Sequence, residues 1–496
     1  MQFQKDVYEC LQLCCEEVKN EEQTQEIRIP DAMPDIGSVL GAWGQVLIRS
    51  KEWKGDSVGI TGGVMTWVLY APEDGSMPRA VEGWIPFSIR WDIPQAERDG
   101  RILSSCLLRS VDGRCLSGRK LMVRSNVSMV VQAYVPSELP IYSPGNVPQD
   151  IQLLRKNYPV CLPAEAGEKQ FQMDEDLTLP ADMAGGKIMS YSLQPEIVDK
   201  KLMADKAVFR GMALVRALVR SEEGKIKACS FEVPFSQYAQ LDREYGDTAE
   251  IQVTPAVTSM EMDILEEGKI RLKAGLTGQY LICDRPLVEV IEDAYSNRRD
   301  VSLKRETAQI PMILDLTRQN ISIAQTAVFS MNEVVDVSMY LQQPTLHRGA
   351  ESAQITCSGG FHVLGINESG ALMGASAKWE EGFSIPADRD TRILVSCYAT
   401  GTPRAASMPE ETALRADAVV EVMTLSAQGL PQVTGLELGE LRDPDPQRPA
   451  IVLRRAQTGE LWQLAKESGS TVEAIRRANR LLEEPLPGQM LLIPVM

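Results

Sequence analysis

Histidine is almost missing from this 496-residue chain: His347 and His362 are the only two, and neither stands at a metal-ligand spacing from cysteine or from the other. A zinc site built from Cys and His is therefore not expected, and general-base catalysis loses its commonest side chain. No Gly-x-Ser-x-Gly elbow and no His-Glu-x-x-His pair occurs. The nearest approach to a phosphate loop is AGGKIMS at 184–190, where Ile188 replaces the Ser or Thr that would hold magnesium and Ala181 stands where the first glycine belongs. It reads as a turn. Carboxylates are abundant, but sequence spacing does not pair any two of them across a cleft. An excess of cations is also lacking: 51 Lys and Arg face 68 Asp and Glu, a net charge of −17, which argues against a nucleic-acid partner. No apolar run is long enough to cross a bilayer, so no membrane span is expected. The opening stretch, MQFQKDVYECLQLCCEEVKNEE, has no positive n-region, apolar core or small-residue cleavage site, so no export signal is read there. Together these absences predict a protein that is not an enzyme and carries no cofactor and no metal.

What remains is an ordinary globular composition, 44% hydrophobic and 24% charged, in a chain too long for a single core. Three or four domains are expected. Ten cysteines are scattered; only Cys10, Cys14 and Cys15 cluster, and their spacing predicts an amphipathic helix over residues 1–23 with Cys10 and Cys14 on one face. Reduced thiols in a cytoplasmic chain are the default.

The body reads as a repeat. GDSVGITGGVMTWVLYAPEDG at 55–75, ADKAVFRGMALVRALVRSEEG at 204–224 and GAESAQITCSGGFHVLGINESG at 349–370 each run strand, glycine, strand, acidic turn. Val64, Thr66, Val68 and Tyr70 alternate with period two, and the Glu-Asp-Gly, Glu-Glu-Gly and Glu-Ser-Gly steps suit tight hairpin turns. WIPFSIRW, FEVPFSQY and WEEGFSIP come next, placing Phe87, Phe235 and Phe383 in matching positions. Alternating strands at 118–135, 268–282 and 411–425 close each copy. Units of about 100 residues are too long for a solenoid and suit small β domains. The expected fold is mainly β: three tandem β-sandwich-like or barrel-like repeats over 24–135, 171–290 and 291–425, the last with a lead-in. Five of the seven tryptophans, Trp43, Trp53, Trp67, Trp84 and Trp91, fall in the first unit and read as its core. Residues 136–170, with Pro136, Pro140, Pro144, Pro148 and Pro159, are expected to form a Pro-rich linker; a second, 426–449, ends in LRDPDPQRP and would hold the final module off the body.

That module, 450–496, reads as a small α+β domain in the order βααβ. IVLRRA predicts a strand, LWQLAKESG a helix stopped by Gly469, and Ser470-Thr471-Val472-Glu473 a capping box opening a second helix. Leu486-Pro487-Gly488-Gln489 predicts a turn into the strand MLLIPV. With six Lys and Arg against five Glu the segment is near neutral, and Arg476, Arg477 and Arg480 read as a solvated helix face.

The Leu461-Trp462 pair, Ala478-Asn479 and LPGQMLLIP resemble the LysM domain, a glycan- and protein-binding module. The resemblance implies a shallow groove between 458–461 and 479–488, lined by Thr458, Gly459, Glu460, Leu461, Trp462, Ile475, Asn479, Leu486, Pro487 and Gly488. Glycan-binding members carry Gly-Asp-Thr or Gly-Asp-Ser before the Leu-Trp pair, where this chain has Thr458-Gly459-Glu460. Upstream, PDAMPDIGSVLGAWGQV, the strand-Gly-strand hairpins and the Pro-Phe-Ser block look like the SPOCS domain of endospore-forming bacteria. SPOCS units followed by one LysM imply a non-enzymatic adaptor in spore envelope or coat assembly. It would sit in the mother-cell cytoplasm at the outer forespore surface and bind a SpoIVA-like coat ATPase, with other coat proteins as further partners. The rival expectation is a peptidoglycan or cortex anchor.

Overall fold

The computed structural model describes residues 1–93, 100–389, 391–442, 449–456 and 461–495. Strands take up 74% of the chain and helices 4%, so the fold is mainly β. The chain opens with β1 (Gln4–Arg28), meanders through β2 (Ile36–Lys54), β3 (Ser57–Pro72) and β4 (Arg79–Asp92), and returns through β5 (Arg101–Ser117) and β6 (Lys120–Ser143). Two antiparallel three-stranded sheets result, β2-β3-β4 and β1-β6-β5. β7 (Ile151–Pro159) leads to β8 (Leu162–Thr178), β9 (Lys187–Met203), β10 (Lys206–Arg220), β11 (Ile226–Gln240), β12 (Glu250–Ile264) and β13 (Lys269–Asp284). The pairing is the same again, β9-β10-β11 and β8-β13-β12, after which β14 (Leu287–Ser296) pairs back onto β7. A third set follows: β15 (Val301–Ala327), β16 (Glu333–Leu341), β17 (Thr345–Arg348), β18 (Ser352–Ile366), β19 (Leu372–Pro386), β20 (Arg392–Ser407) and β21 (Thr412–Leu438). Here β15-β21-β20 forms one sheet, and β18 pairs β19 on one edge and both β16 and β17 on the other. β22 (Ile451–Arg455), α1 (Leu461–Ser468), α2 (Val472–Asn479) and β23 (Met490–Pro494) end the chain.

In each set the two sheets share one core. Ile60, Phe87 and Trp91 of β3-β4 meet Met129 and Val131 of β6; Phe209 and Phe235 meet Leu272 and Leu276; Phe361 and Trp379 meet Leu414 and Val420. Burial of these side chains contributes on the order of 1.5–3 kcal/mol each. The hairpin turns follow glycine's freedom: Gly75, Gly224 and Gly370 sit at φ of 70°, 91° and 80°. A second glycine recurs inside the strands for a steric reason. Gly62, Gly211 and Gly359 would each place a Cβ 2.2 Å from the carbonyl oxygen of the neighbouring strand, and an aromatic ring lies over each: Phe87, Phe235 and Trp379. The register confirms the match, with Gly62 opposite Phe87, Gly211 opposite Phe235 and Gly359 opposite Trp379. Phe383 lies opposite Ile355, so it does not stand in the place of Phe87 and Phe235. Trp379 does.

Three expectations are corrected. Residues 1–23 form no helix: β1 pairs along its whole length with β6, from Gln4 opposite Ser143 to Arg28 opposite Lys120. Good local helix formers such as Glu, Lys and Leu yield there to a long-range ladder, which satisfies the backbone groups while burying Cys10, Leu11 and Leu13. The Pro-rich stretch 136–170 is likewise no linker, since the end of β6, all of β7 and the start of β8 occupy it. Its prolines are tolerated because β5 pairs with β6 only as far as Tyr134, leaving Pro136 and Pro140 where β6 is an edge strand. In the same way 426–438 belongs to β21, and residues 443–448 of the second expected linker lie outside the described residues.

The three sets are not separate beads. The far ends of β1-β6, β7-β14 and β15-β21 converge on shared clusters, one holding Cys10, Leu139, Val160, Val288, Met312 and Leu430. Gln432 ties two of them, donating to the Pro140 carbonyl at 2.9 Å and accepting from Tyr142 N–H at 3.3 Å. The chain start is held as well, with the Met1 ammonium on the Leu436 carbonyl at 2.6 Å.

Candidate docking site in the C-terminal module

α1 forms because Leu461 and Ala465 bury one face, and it stops at Gly469, whose φ of 63° permits the left-handed turn. α2 is capped by Thr471, whose hydroxyl accepts from Ala474 N–H at 3.1 Å. The cap is thus one residue later than the capping-box reading placed it. Glu473 bonds Arg477 one turn on, and the buried Ser470 hydroxyl has no partner among the described residues. Arg480, at φ 54°, closes α2. The Leu486-Pro487-Gly488 turn is fastened by Gln489 N–H to the Leu486 carbonyl at 3.0 Å and Gly488 N–H to the Ala456 carbonyl at 2.7 Å.

The residues expected to line a groove divide into five groups, the last of them Trp462 alone. Thr458, Gly459 and Glu460 lie outside the described residues. Leu461 and Ile475 are buried with Ala465, Leu491 and Ile493, so they are core and not contact surface. Asn479 is a clasp: its amide donates to the Leu492 carbonyl at 2.6 Å and to the Ile475 carbonyl at 2.9 Å, and its oxygen accepts from Leu492 N–H at 2.8 Å. Only Leu486, Pro487 and Gly488 are brought together on the exposed surface.

Trp462 is turned toward the β body. Its ring meets Tyr295 of β14 edge-on at 4.8 Å, and its indole N–H donates to Asp293 at 2.9 Å. Lys466, one turn along α1, reaches the same carboxylate at 2.7 and 3.0 Å, and Arg305 reaches it at 2.8 Å. The Tyr295 hydroxyl donates to the Ser470 carbonyl at 3.0 Å, and its ring belongs to the module's own core. The module is therefore docked on β14, not held off the body as the linker reading expected. Burial pushes the Asp293 carboxyl up, but the Lys466 and Trp462 hydrogen bonds outweigh it and hold the group below its ordinary value. Burial also pushes the Tyr295 hydroxyl up to about 12.

With Trp462 committed inward, the free apolar surface lies elsewhere. Leu453 stands directly opposite Leu492, and Ile451 and Met490 share that face of the two-stranded sheet; all four are exposed. Leu482 and Leu486, between α2 and β23, are 97% and 75% exposed. Sequence reasoning missed this face, although the strand MLLIP carries a signal for it: alternate residues Leu491 and Ile493 fill the core, leaving Met490 and Leu492 as apolar side chains with nothing to cover them.

Among the described residues no group of three or more His, Cys, Asp or Glu is placed to hold a metal ion. Among the described residues no helix is long and apolar enough to cross a membrane. No protein-family model, no curated protein and no solved structure matches this chain.

Proposed function

We propose that this chain is a non-enzymatic adaptor of the endospore envelope or coat, built from three tandem SPOCS-like β repeats and a βααβ LysM-type module that docks a SpoIVA-like coat ATPase. Support for the repeats comes from the pairing order that recurs three times and from the glycine-aromatic pair at matching register in each set. The observation that carries the docking role is the exposed face of Ile451, Leu453, Met490 and Leu492 on a module whose other side is fixed to the body. Apolar side chains grouped on one rigid face suit a protein partner, which covers them with matching apolar surface. Glycan recognition depends instead on polar groups in a groove, and the sequence Thr458-Gly459-Glu460 departs from the Gly-Asp-Thr or Gly-Asp-Ser step of glycan-binding LysM members.

The test is to incubate the purified full-length chain with the purified coat ATPase and, separately, with insoluble peptidoglycan. Retention by the ATPase and release from the glycan are the expected result. Retention on peptidoglycan alone would make the module a wall or cortex anchor and overturn the adaptor reading.

A further inference from the structure

A cavity of about 480 Å³ lies where the three β sets converge. Its walls come from ten strands: β2 and β5 of the first set, β9, β10 and β12 of the second, and β16, β18, β19, β20 and β21 of the third. Its size falls within the ~300–1,000 Å³ of small-molecule sites. The cross-links around it hold the sets together; Gln45 of β2 accepts from Leu193 N–H at 3.1 Å, and Gln194 of β9 donates to the Ala399 carbonyl at 2.9 Å.

The charge of the lining is one-sided. Asp112, Glu196, Asp336 and Glu421 contribute carboxylates, against a single guanidinium, Arg216, and no lysine. Arg216 is already committed to Asp336, with contacts of 2.6 and 2.5 Å. Glu196 accepts from Gly401 N–H at 2.6 Å and from the Gln194 amide at 2.8 Å, and Glu421 accepts from the Tyr398 hydroxyl at 3.0 Å. Arg318, across the strand from Glu421, makes no ion pair with it among the described residues. Glu196 and Glu421 thus keep neutral hydrogen-bond donors and no ion pair among the described residues, with Arg318 near enough to act electrostatically on Tyr398, in a partly buried setting where a cation is worth more than in water.

The remaining walls supply rings. Trp43, Tyr191, Tyr340 and Tyr398 line the cavity, and Trp43 meets His362 edge-on at 5.0 Å. Both of these carry a buried ring nitrogen, Trp43 Nε1 and His362 Nδ1, with no hydrogen-bond partner among the described residues. Burial holds the His362 pKa below its ordinary value, so the ring is neutral and adds no positive charge.

We infer that this cavity binds a small organic cation of the polyamine class, its ammonium groups on the Glu421 and Glu196 carboxylates and its methylene chain against the faces of Trp43 and the tyrosines. Carboxylates among aromatic rings recognise such a cation by charge-assisted hydrogen bonds and by attraction to the ring faces. Asp112 is paired with Arg124 at 3.7 Å, so an anion would meet the two carboxylates Glu196 and Glu421 with Arg216 already committed to Asp336, and a purely apolar ligand would leave those two carboxylates desolvated.

The experiment is calorimetric titration of the full-length protein with spermidine at about 150 mM salt, where loose association with the acidic exterior is screened. Neutral 1,8-octanediol and anionic citrate serve as comparators. Saturable spermidine binding is expected, weakened about tenfold or more by Glu421→Gln, a change that keeps shape and removes charge. Glu473→Gln, an exposed substitution on α2, is expected to leave binding unchanged. Glu196→Gln repeats the test should the Glu421 variant unfold in a melting control. Absence of spermidine heat, equal binding of the diol or citrate, a Glu→Gln cavity variant that binds like the parent, or equal weakening by Glu473→Gln would each overturn the assignment.

Discussion

Asp293→Ala tests how the C-terminal module is held. The carboxylate side chain is 13% exposed and receives Trp462, Lys466 and Arg305. Removing it leaves the part-buried indole N–H without an acceptor, which costs about 1–3 kcal/mol. Lys466 and Arg305 are 35% and 55% exposed and regain water, so each adds no more than ~1 kcal/mol. Relief of the carboxylate's own desolvation offsets part of this, giving a net loss of docking of about 2 kcal/mol, below the ~3–5 kcal/mol of a fully buried broken pair. At ~1.4 kcal/mol per factor of ten, the undocked population rises roughly 30-fold. Hydrogen exchange read on peptides spanning β14 and α1 measures this directly, because undocking uncovers Tyr295 and the strand that carries it. Asp293→Asn, which keeps an acceptor for Trp462 but drops the charge, is expected to give a smaller rise. Unchanged exchange in Asp293→Ala would refute the claim that this carboxylate fixes the module.

Acid should act on the same contact. A carboxyl held below its ordinary value stabilises the folded state above the unfolded value of ~3.9 and loses that contribution as pH falls through the folded one. Asp293 is held down in this way, and Asp150, hydrogen-bonded by Arg299, sits at about 2. Stability of the β14 region is therefore predicted to be flat with respect to these groups from pH 5 to 8 and to fall between about pH 4 and 2, read by circular dichroism and exchange; a loss centred near pH 6 would contradict it. Gly211→Ala forces a Cβ to within 2.2 Å of the Glu196 carbonyl and onto the Phe235 ring, so a loss of about 1–3 kcal/mol or more is expected in urea melts, with a similar loss for Gly62→Ala and Gly359→Ala. Thr471→Ala removes the cap of α2 and should cost about 1 kcal/mol, seen as faster exchange of the Ala474 amide.

Strand alternation was legible in the sequence where each residue's own surroundings decide its place. Val64, Thr66, Val68 and Tyr70 share one face of β3 and all four are buried, although Trp67 and Leu69 between them are buried as well because this central strand is covered on both faces. The errors arise where a distant segment decides. Residues 4–28 carry helix-forming composition, and nothing local reveals that β6, about 90 to 140 residues on, will pair with them. Prolines at 136 and 140 read as a linker because their tolerance depends on where β5 stops. Phe383 was aligned by the Phe-Ser pair it shares with the other copies, whereas packing over a strand glycine selected Trp379. Trp462 was expected on the groove, but its partners, Asp293 and Tyr295, come from a strand whose place the sequence did not reveal. The cavity between the sets was not legible at all, since its lining is gathered from ten strands in three sets.

The central claim is that the exposed face of β22 and β23 docks a coat ATPase. Its most direct test is titration of the immobilised SpoIVA-like ATPase with the full-length chain and with a Leu453→Glu, Leu492→Glu double variant, its fold checked by melting. These two side chains face each other on the surface, so the charges should leave the module intact while placing carboxylates in the apolar contact. Binding by the parent chain and a loss of at least about a hundredfold in the variant is the predicted result, each residue counting as ~1–2 kcal/mol or more of a central contact. Equal binding by the two proteins, or no binding by either, would contradict it.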